Sequence, residues 1–224
     1  MPTLRHEDDV HIIDFGDGEN RMTHEFCAEV LGLLDEVDAV EGPKALVTTA
    51  TGKIYSNGLD VGYMADHPDE VGAYLGHTML VCERIFTFPA PTAAAINGHA
   101  FGLGAFLQLA HDHRVMRSDR GYICWPELAL GMTFPHPLQE LNRVRLPAMT
   151  LHEAQTTARR YGGPDAVTAG IVHATVPEQD VLATAIDLVT PHVASAGPVL
   201  GAIKRELYPE VIAMLRDHPN PHNT

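Results

Sequence analysis

One carboxylate in an apolar run is the residue best placed to do chemistry. In Tyr122-Ile-Cys-Trp-Pro-Glu127-Leu-Ala-Leu-Gly131, apolar side chains flank Glu127 on both sides. Burial there disfavours the ionised form and raises the carboxyl pKa, which is how a general acid/base is tuned toward neutrality. The competing reading is structural: a glutamate just after Pro126 suits a first helical turn, where the dipole favours its charge. Two glycine-bearing turns are the other candidates. Gly52-Lys-Ile-Tyr-Ser-Asn-Gly58-Leu-Asp60 directly follows a short apolar run, so it reads as a loop after a strand, able to aim backbone N–H groups. Asn97-Gly98-His-Ala-Phe-Gly102-Leu-Gly104 reads as a strand-to-helix junction. Glycines there let the backbone approach a ligand, and the helix N-terminus favours developing negative charge. Two such turns facing each other make an oxyanion hole, whereas each alone is equally a plain turn or a point of close helix packing. A nucleotide fold is excluded by its own motif. Gly102-Leu-Gly104 continues as Ala-Phe-Leu, without the last glycine of a dinucleotide fingerprint, and neither cluster runs into a phosphate-loop Lys-Ser/Thr.

The elements that must hold these segments follow from periodicity. Val10 to Phe15 is a strand or hairpin arm ended by Gly16-Asp17-Gly18. Thr23 is an N-cap, and Phe26, Val30, Leu33, Leu34 and Val37 recur at helical spacing to about Asp38. Ala45 to Thr49 and Thr92 to Ile96 are short apolar runs of the kind buried on both faces of a mostly parallel sheet. Pro68 to Phe88 carries Val71, Leu75, Met79, Cys82 and Ile85 on one helical face, and the small residues of Ala100 to Ala110 predict a central buried helix. Arg114-Val115-Met116 is a further strand. From Pro135 onward the pattern is mainly helical, with one stripe at Val181, Leu182, Ala185, Ile186 and Val189 and another from Val199 to Leu207. The predicted organisation is an α/β core over residues 1–135 continuous with a helical portion over residues 136–224, with a frayed end from His218.

Composition narrows the function. Fifteen basic against 29 acidic residues give a net charge of −14, which repels a phosphate backbone, and 6% aromatic residues do not suit base stacking. No nucleic-acid partner is expected. The three cysteines, Cys27, Cys82 and Cys124, form no CxxC pair and read as reduced structural thiols. Of the 14 histidines, His111 and His113 flank Asp112, while His99, His136, His152 and His173 stand singly, without the i, i+4 spacing of a helical zinc motif. No metal site is predicted. No run approaches the roughly 18 apolar residues of a membrane span, and the first residues lack a basic start and apolar core, so a cytoplasmic protein without a membrane partner is expected.

Taken together, the three segments resemble the crotonase (enoyl-CoA hydratase/isomerase) superfamily, most densely from Lys44 to about Pro135. Ala45 to Ala50 followed by Ser56-Asn-Gly-Leu-Asp60 is similar to that family's first oxyanion loop, and Ile96-Asn97-Gly98 with the small-residue helix to His111-Asp112 is similar to its second. Glu127 falls where the family places a glutamate in a Pro-Glu segment. The pattern is closest to the enoyl-CoA delta isomerases of plant and peroxisomal type, through Ser-Asn-Gly-Leu-Asp and Arg117-Ser-Asp-Arg-Gly121. The resemblance implies a spiral of ββα units with a helical C-terminal trimerisation region. It implies an acyl-CoA thioester substrate, no cofactor beyond its coenzyme A moiety, and a homotrimer or hexamer. It also implies a thioester oxygen held by the N–H groups of Leu59 and Leu103, with Glu127 as the base. Coenzyme A and acyl chain would be bound near Ser56, Asn57, Gly58, Leu59, Gly102, Phe106 and Trp125, with Phe101 and Phe134 as further pocket candidates. Lys204 and Arg205 either meet a coenzyme A phosphate or form a solvated helix face. Family hydratases carry a glycine triplet and a second glutamate where this chain has Leu103 and Phe106, so a single-base isomerisation is the leading expectation. Other acyl-CoA chemistry (hydratase, thioesterase, decarboxylase) is the alternative, or an inactive binding protein, whose sign would be Glu127 held in an ion pair away from the loops.

Overall fold

The computed structural model describes residues 1–217, so the end expected to fray from His218 lies outside the described residues. Strands β1 (Thr3–Glu7) and β2 (Val10–Asp14) form an antiparallel hairpin, and β2 then pairs in parallel with β3 (Ala45–Thr49). From there each turn of the chain lays one strand in a large sheet and the next in a small one. The large sheet takes β3, β5 (Thr92–Ile96) and β7 (His113–Arg117), and the small parallel sheet takes β4 (Ile54–Ser56), β6 (His99–Phe101) and β8 (Ile123–Cys124). Helices close the turns: α1 (His24–Asp38), α2 (Val61–Asp66) and α3 (Val71–Phe86), then α4 (Leu103–Leu109). This is the expected ββα spiral.

The local signals work as predicted at α1, where the Thr23 hydroxyl accepts the Phe26 N–H at 3.2 Å and Phe26, Cys27, Val30, Leu34 and Val37 are buried. The central helix is shorter than its composition suggested. Ala100 and Phe101 belong to β6, because their backbones pair with β4 and β8, and the helix begins only after the turn at Gly102.

The C-terminal portion is less purely helical than its pattern implied. It contributes α5 (His136–Arg145), α6 (Ala148–Thr157), α7 (Gly163–Thr168), the strand β9 (Ala174–Val176), α8 (Val181–Val189), α9 (Pro198–Leu207) and α10 (Pro209–Arg216). The β9 strand pairs in parallel with β7 and makes the sixth strand of the large sheet, in the order β1-β2-β3-β5-β7-β9. Side chains alternate along those strands. Ile13, Leu46, Ala94, Ile96 and Met116 enter the main core, while Ile12, Val47, Ala93, Ala95 and Val115 enter a second core closed by Val181, Ala185 and Val189 of α8. The stripe at 181–189 therefore covers the back of the sheet.

Candidate active site

Both glycine turns lie at the C-terminal ends of small-sheet strands. After β4 the chain passes through Asn57 to Asp60, and the Asp60 carboxylate caps α2 by accepting the N–H groups of Gly62 and Tyr63, both at 3.1 Å. After β6 it turns at Gly102, whose φ of +52° is open to glycine, and enters α4 at Leu103. The two turns are in contact. A methyl group on Gly58 (φ +75°) would lie 2.5 Å from the Phe101 carbonyl oxygen and 2.6 Å from the Leu103 nitrogen, and one on Gly104 would lie 2.2 Å from the Ser56 carbonyl oxygen.

Among the described residues each turn presents an unengaged N–H beside its glycine. The Gly58 carbonyl accepts from Met22 N–H at 2.9 Å and the Gly102 carbonyl from Ala105 N–H at 2.8 Å. In a trans peptide the following N–H points the opposite way, so these bonds aim the N–H groups of Leu59 and Leu103. Among the described residues neither meets a hydrogen-bond acceptor. For Leu103 this is the ordinary condition of a first helical residue, and its side chain is not involved.

Glu127 closes the arrangement. Pro126 leads into a single 3-10 turn, Glu127 to Leu130, closed by Gly131 in the left-handed conformation, with Met132 N–H donating to the Glu127 carbonyl at 2.9 Å. One carboxylate oxygen, Oε1, faces Gly102, where an added methyl would lie 4.0 Å from it, and the other, Oε2, is buried without a hydrogen-bond partner. Burial pushes the carboxyl up to about 7, offset in part by a backbone N–H. A glutamate stabilised by a helix dipole would shift the other way, and among the described residues Glu127 has no ion pair. A carboxyl that burial raises toward neutrality, beside the turn that bears the Leu103 N–H, can move a proton next to a carbonyl whose oxygen the unengaged N–H groups receive.

This chain matches the family model described as enoyl-CoA hydratase/isomerase over residues 5–213. It belongs to that family. Among its relatives, the peroxisomal enoyl-CoA delta isomerase 2 of Arabidopsis thaliana is 31% identical over 96% of this chain and 95% of that protein. The carnitinyl-CoA dehydratase of Escherichia coli is 33% identical over 73% of this chain and 62% of that protein. The crystal structure of human mitochondrial delta3-delta2-enoyl-CoA isomerase superposes with a TM-score of 0.89 at 20% identity, covering 96% of this chain and 85% of that one, which shows the shared crotonase fold.

Within this family member, several residues singled out from sequence serve the scaffold. Ser56 is buried, its hydroxyl donating to the Asn20 carbonyl at 2.8 Å and accepting the Gly58 N–H at 3.2 Å, so it shapes the loop and has no hydroxyl to offer a ligand. Asn57 N–H donates to the Glu19 carbonyl at 2.9 Å. Phe106 and Trp125 are fully buried and meet edge to face at 6.3 Å, and Phe106 also meets the half-buried Phe134 at 6.1 Å. Phe101 packs on His99 and lies under the Arg160 guanidinium. Truncating Phe106 to Ala should cost about 3–5 kcal/mol in urea unfolding, the loss expected for a core ring. Lys204 corrects both of its readings, since it is buried, donating to Asp112 at 2.7 Å and to the Ala90 carbonyl at 2.9 Å. Arg205 is exposed.

The strap formed by Glu19, Asn20, Arg21 and Met22 was not predicted. Asn20, at φ +49°, donates its side-chain amide to the carbonyls of Gly16, Ile54 and Tyr55, and Arg21 Nη1 donates to the Leu59 carbonyl at 3.1 Å. Nothing in the type or spacing of these residues points to a loop more than 30 positions away.

Proposed function

We propose that this protein is an enoyl-CoA isomerase that converts a 3-enoyl-CoA into the conjugated 2-trans-enoyl-CoA. The observation that carries the reading is the single neutral-range carboxyl, Glu127, facing the turn that bears Leu103 N–H, with the buried ring of Phe106 at the α4 position where a hydratase of the family has its second carboxylate. Hydration needs two groups to hold and activate water. Moving a double bond needs one base that takes a proton from C2 and returns it at C4.

In this mechanism the thioester oxygen lies between the N–H groups of Leu59 and Leu103. Glu127 enters as carboxylate and removes the C2 proton. The electron pair spreads over the double bond and the thioester as a dienolate, and the two N–H groups stabilise the charge gathering on oxygen. One such donor is worth roughly 3 kcal/mol, and the base adds roughly 10²–10⁴-fold. Glu127, now a neutral acid, returns the proton at C4. The apolar surroundings that raise its pKa make both halves of this cycle accessible near neutral pH. No cofactor beyond the coenzyme A moiety of the substrate takes part.

The deciding assay follows 3-cis- and 3-trans-hexenoyl-CoA at the absorbance of the conjugated thioester. Conversion supports the isomerase; binding of the thioesters without conversion transfers the proposal to another acyl-CoA reaction.

The same reading includes a trimeric or hexameric assembly in the cytoplasm. An exposed apolar row along α9 supports the assembly: Val199 is 73%, Ile203 52% and Leu207 62% exposed. Ile203→Asp should lower the mass measured by light scattering from three or six chains toward one. The three free, buried cysteines suit a reducing compartment, and no single described helix is long and apolar enough to cross a membrane.

A further inference from the structure

The aim of the Leu59 N–H depends on groups outside the site. Its own peptide is held by Met22 through the Gly58 carbonyl, and the next peptide is held at both ends. The Leu59 carbonyl accepts from Arg21, while the Asp60 N–H donates to the Tyr74 hydroxyl at 2.7 Å. Leu59 thus lies between two pinned peptide planes, so the direction of its N–H is set by how firmly each plane is fixed. The hold on Asp60 is the shortest of these bonds, and it comes from the helix α3, whereas Arg21 and Met22 belong to the strap before α1.

Tyr74 is built to be immobile. It is fully buried. The His24 ring meets it edge-on at 5.4 Å, and the Tyr63 ring lies at 5.2 Å. Behind His24 stands His77, their Nδ1 atoms 3.1 Å apart, so one ring donates to the other and α1 is tied to α3 at this point. Tyr63 is in turn held at the first turn of α2 by the Asp60 carboxylate. A phenol in a core normally needs only some polar partner; this one accepts from the residue next to an oxyanion donor.

We propose that Tyr74 is a positioning residue for the reaction, holding the Asp60 N–H so that the preceding Leu59 N–H stays aimed at the thioester oxygen. The inference rests on the isomerase reading and on Leu59 as a donor. It assigns a function to a side chain of α3 that touches neither substrate nor base.

The test is Tyr74→Phe, which keeps the ring and removes the acceptor. Turnover of 3-trans-hexenoyl-CoA should fall about tenfold in kcat with KM changed by less than about threefold, because a misaimed donor is missed most when charge develops. A purely structural tyrosine would lower the melting temperature without moving a second signal, the carbonyl stretch of bound 2-trans-hexenoyl-CoA carrying a ¹³C thioester carbon. In the wild type that stretch should drop on binding as hydrogen bonds polarise the carbonyl. In Tyr74→Phe the drop should shrink. If the variant does not fold, 3-fluorotyrosine at position 74, a weaker acceptor of nearly the same shape, should give a smaller change of the same sign. A wild-type drop that is unchanged in the variants, with kcat within about twofold, overturns the role of Tyr74 and leaves the isomerase standing. Absence of any drop in the wild type removes the oxyanion reading itself, and this inference with it.

Discussion

Replacing Glu127 with Gln should lower kcat for 3-hexenoyl-CoA isomerisation by roughly 10³–10⁴-fold while leaving thioester binding nearly intact. The upper part of the usual range for a general base is expected because no second carboxylate stands at the Phe106 position to share the work. The amide is nearly isosteric, so the turn from Glu127 to Leu130 and its Met132 bond should persist. Substrate titration by calorimetry on the variant separates a lost base from a lost site; a variant that retains full turnover would remove Glu127 from the mechanism.

The same residue sets two pH dependences of opposite sense. Catalysis needs the carboxylate, so kcat/KM should rise with pH through a midpoint at about 7, and this limb should vanish from whatever residual rate the Gln variant has. Stability runs the other way. The folded-state pKa is raised above the unfolded value, so the folded protein binds the proton more tightly, and stability is lost as pH climbs from about 4.5 through 7. Above that window Glu127→Gln should be the more stable protein, by something on the order of 1–3 kcal/mol in urea unfolding, and below pH 4.5 the difference should close. A variant that is less stable at every pH would show that the carboxylate is doing structural duty.

Gly58→Ala should cost about a hundredfold in kcat, the scale of losing one oxyanion donor, and should also lower stability. Two penalties add at this position. An L-residue at φ +75° costs about 1 kcal/mol, and the new methyl would lie 2.5 Å and 2.6 Å from backbone atoms of the facing turn, which cannot swing aside as a flexible side chain can. The turns must separate, and the distance between the two N–H groups changes with them. Gly131→Ala is the control, for it has a similar φ of +69° but nothing within 4 Å of an added methyl. It should show only the conformational cost, about 1 kcal/mol, with turnover reduced far less. Equal losses in the two variants would mean that the contact between the turns does not set the geometry of the hole.

Much of this was readable along the chain. Thr23 and the apolar spacing after it predict α1; Ala45 to Thr49, Thr92 to Ile96 and Arg114 to Met116 predict the parallel strands; and the glycine turns and Glu127 mark the site. These signals are local, because periodicity, capping and turn chemistry act within a few residues. Local patterns failed where pairing partners decide. Ala100 and Phe101 have helix-compatible neighbours but become strand because β4 and β8 offer their backbones hydrogen bonds, and Ala174 to Val176 is too short to announce itself until β7 lies beside it.

The residue types themselves limited the chemistry available to this protein: one acid in an apolar segment, glycines at the two turns, and an apolar ring at Phe106. Tertiary structure alone decided how that chemistry is aimed. Whether Glu127 is a capped surface acid or a desolvated one depends on what covers it. The directions of the Leu59 and Leu103 N–H groups depend on the Met22 and Ala105 N–H groups that hold the Gly58 and Gly102 carbonyls. Met22 and Tyr74 act on the first loop from positions well before and after it in the chain, and a hydrogen bond between distant residues leaves no spacing to read, since its requirement is distance in space.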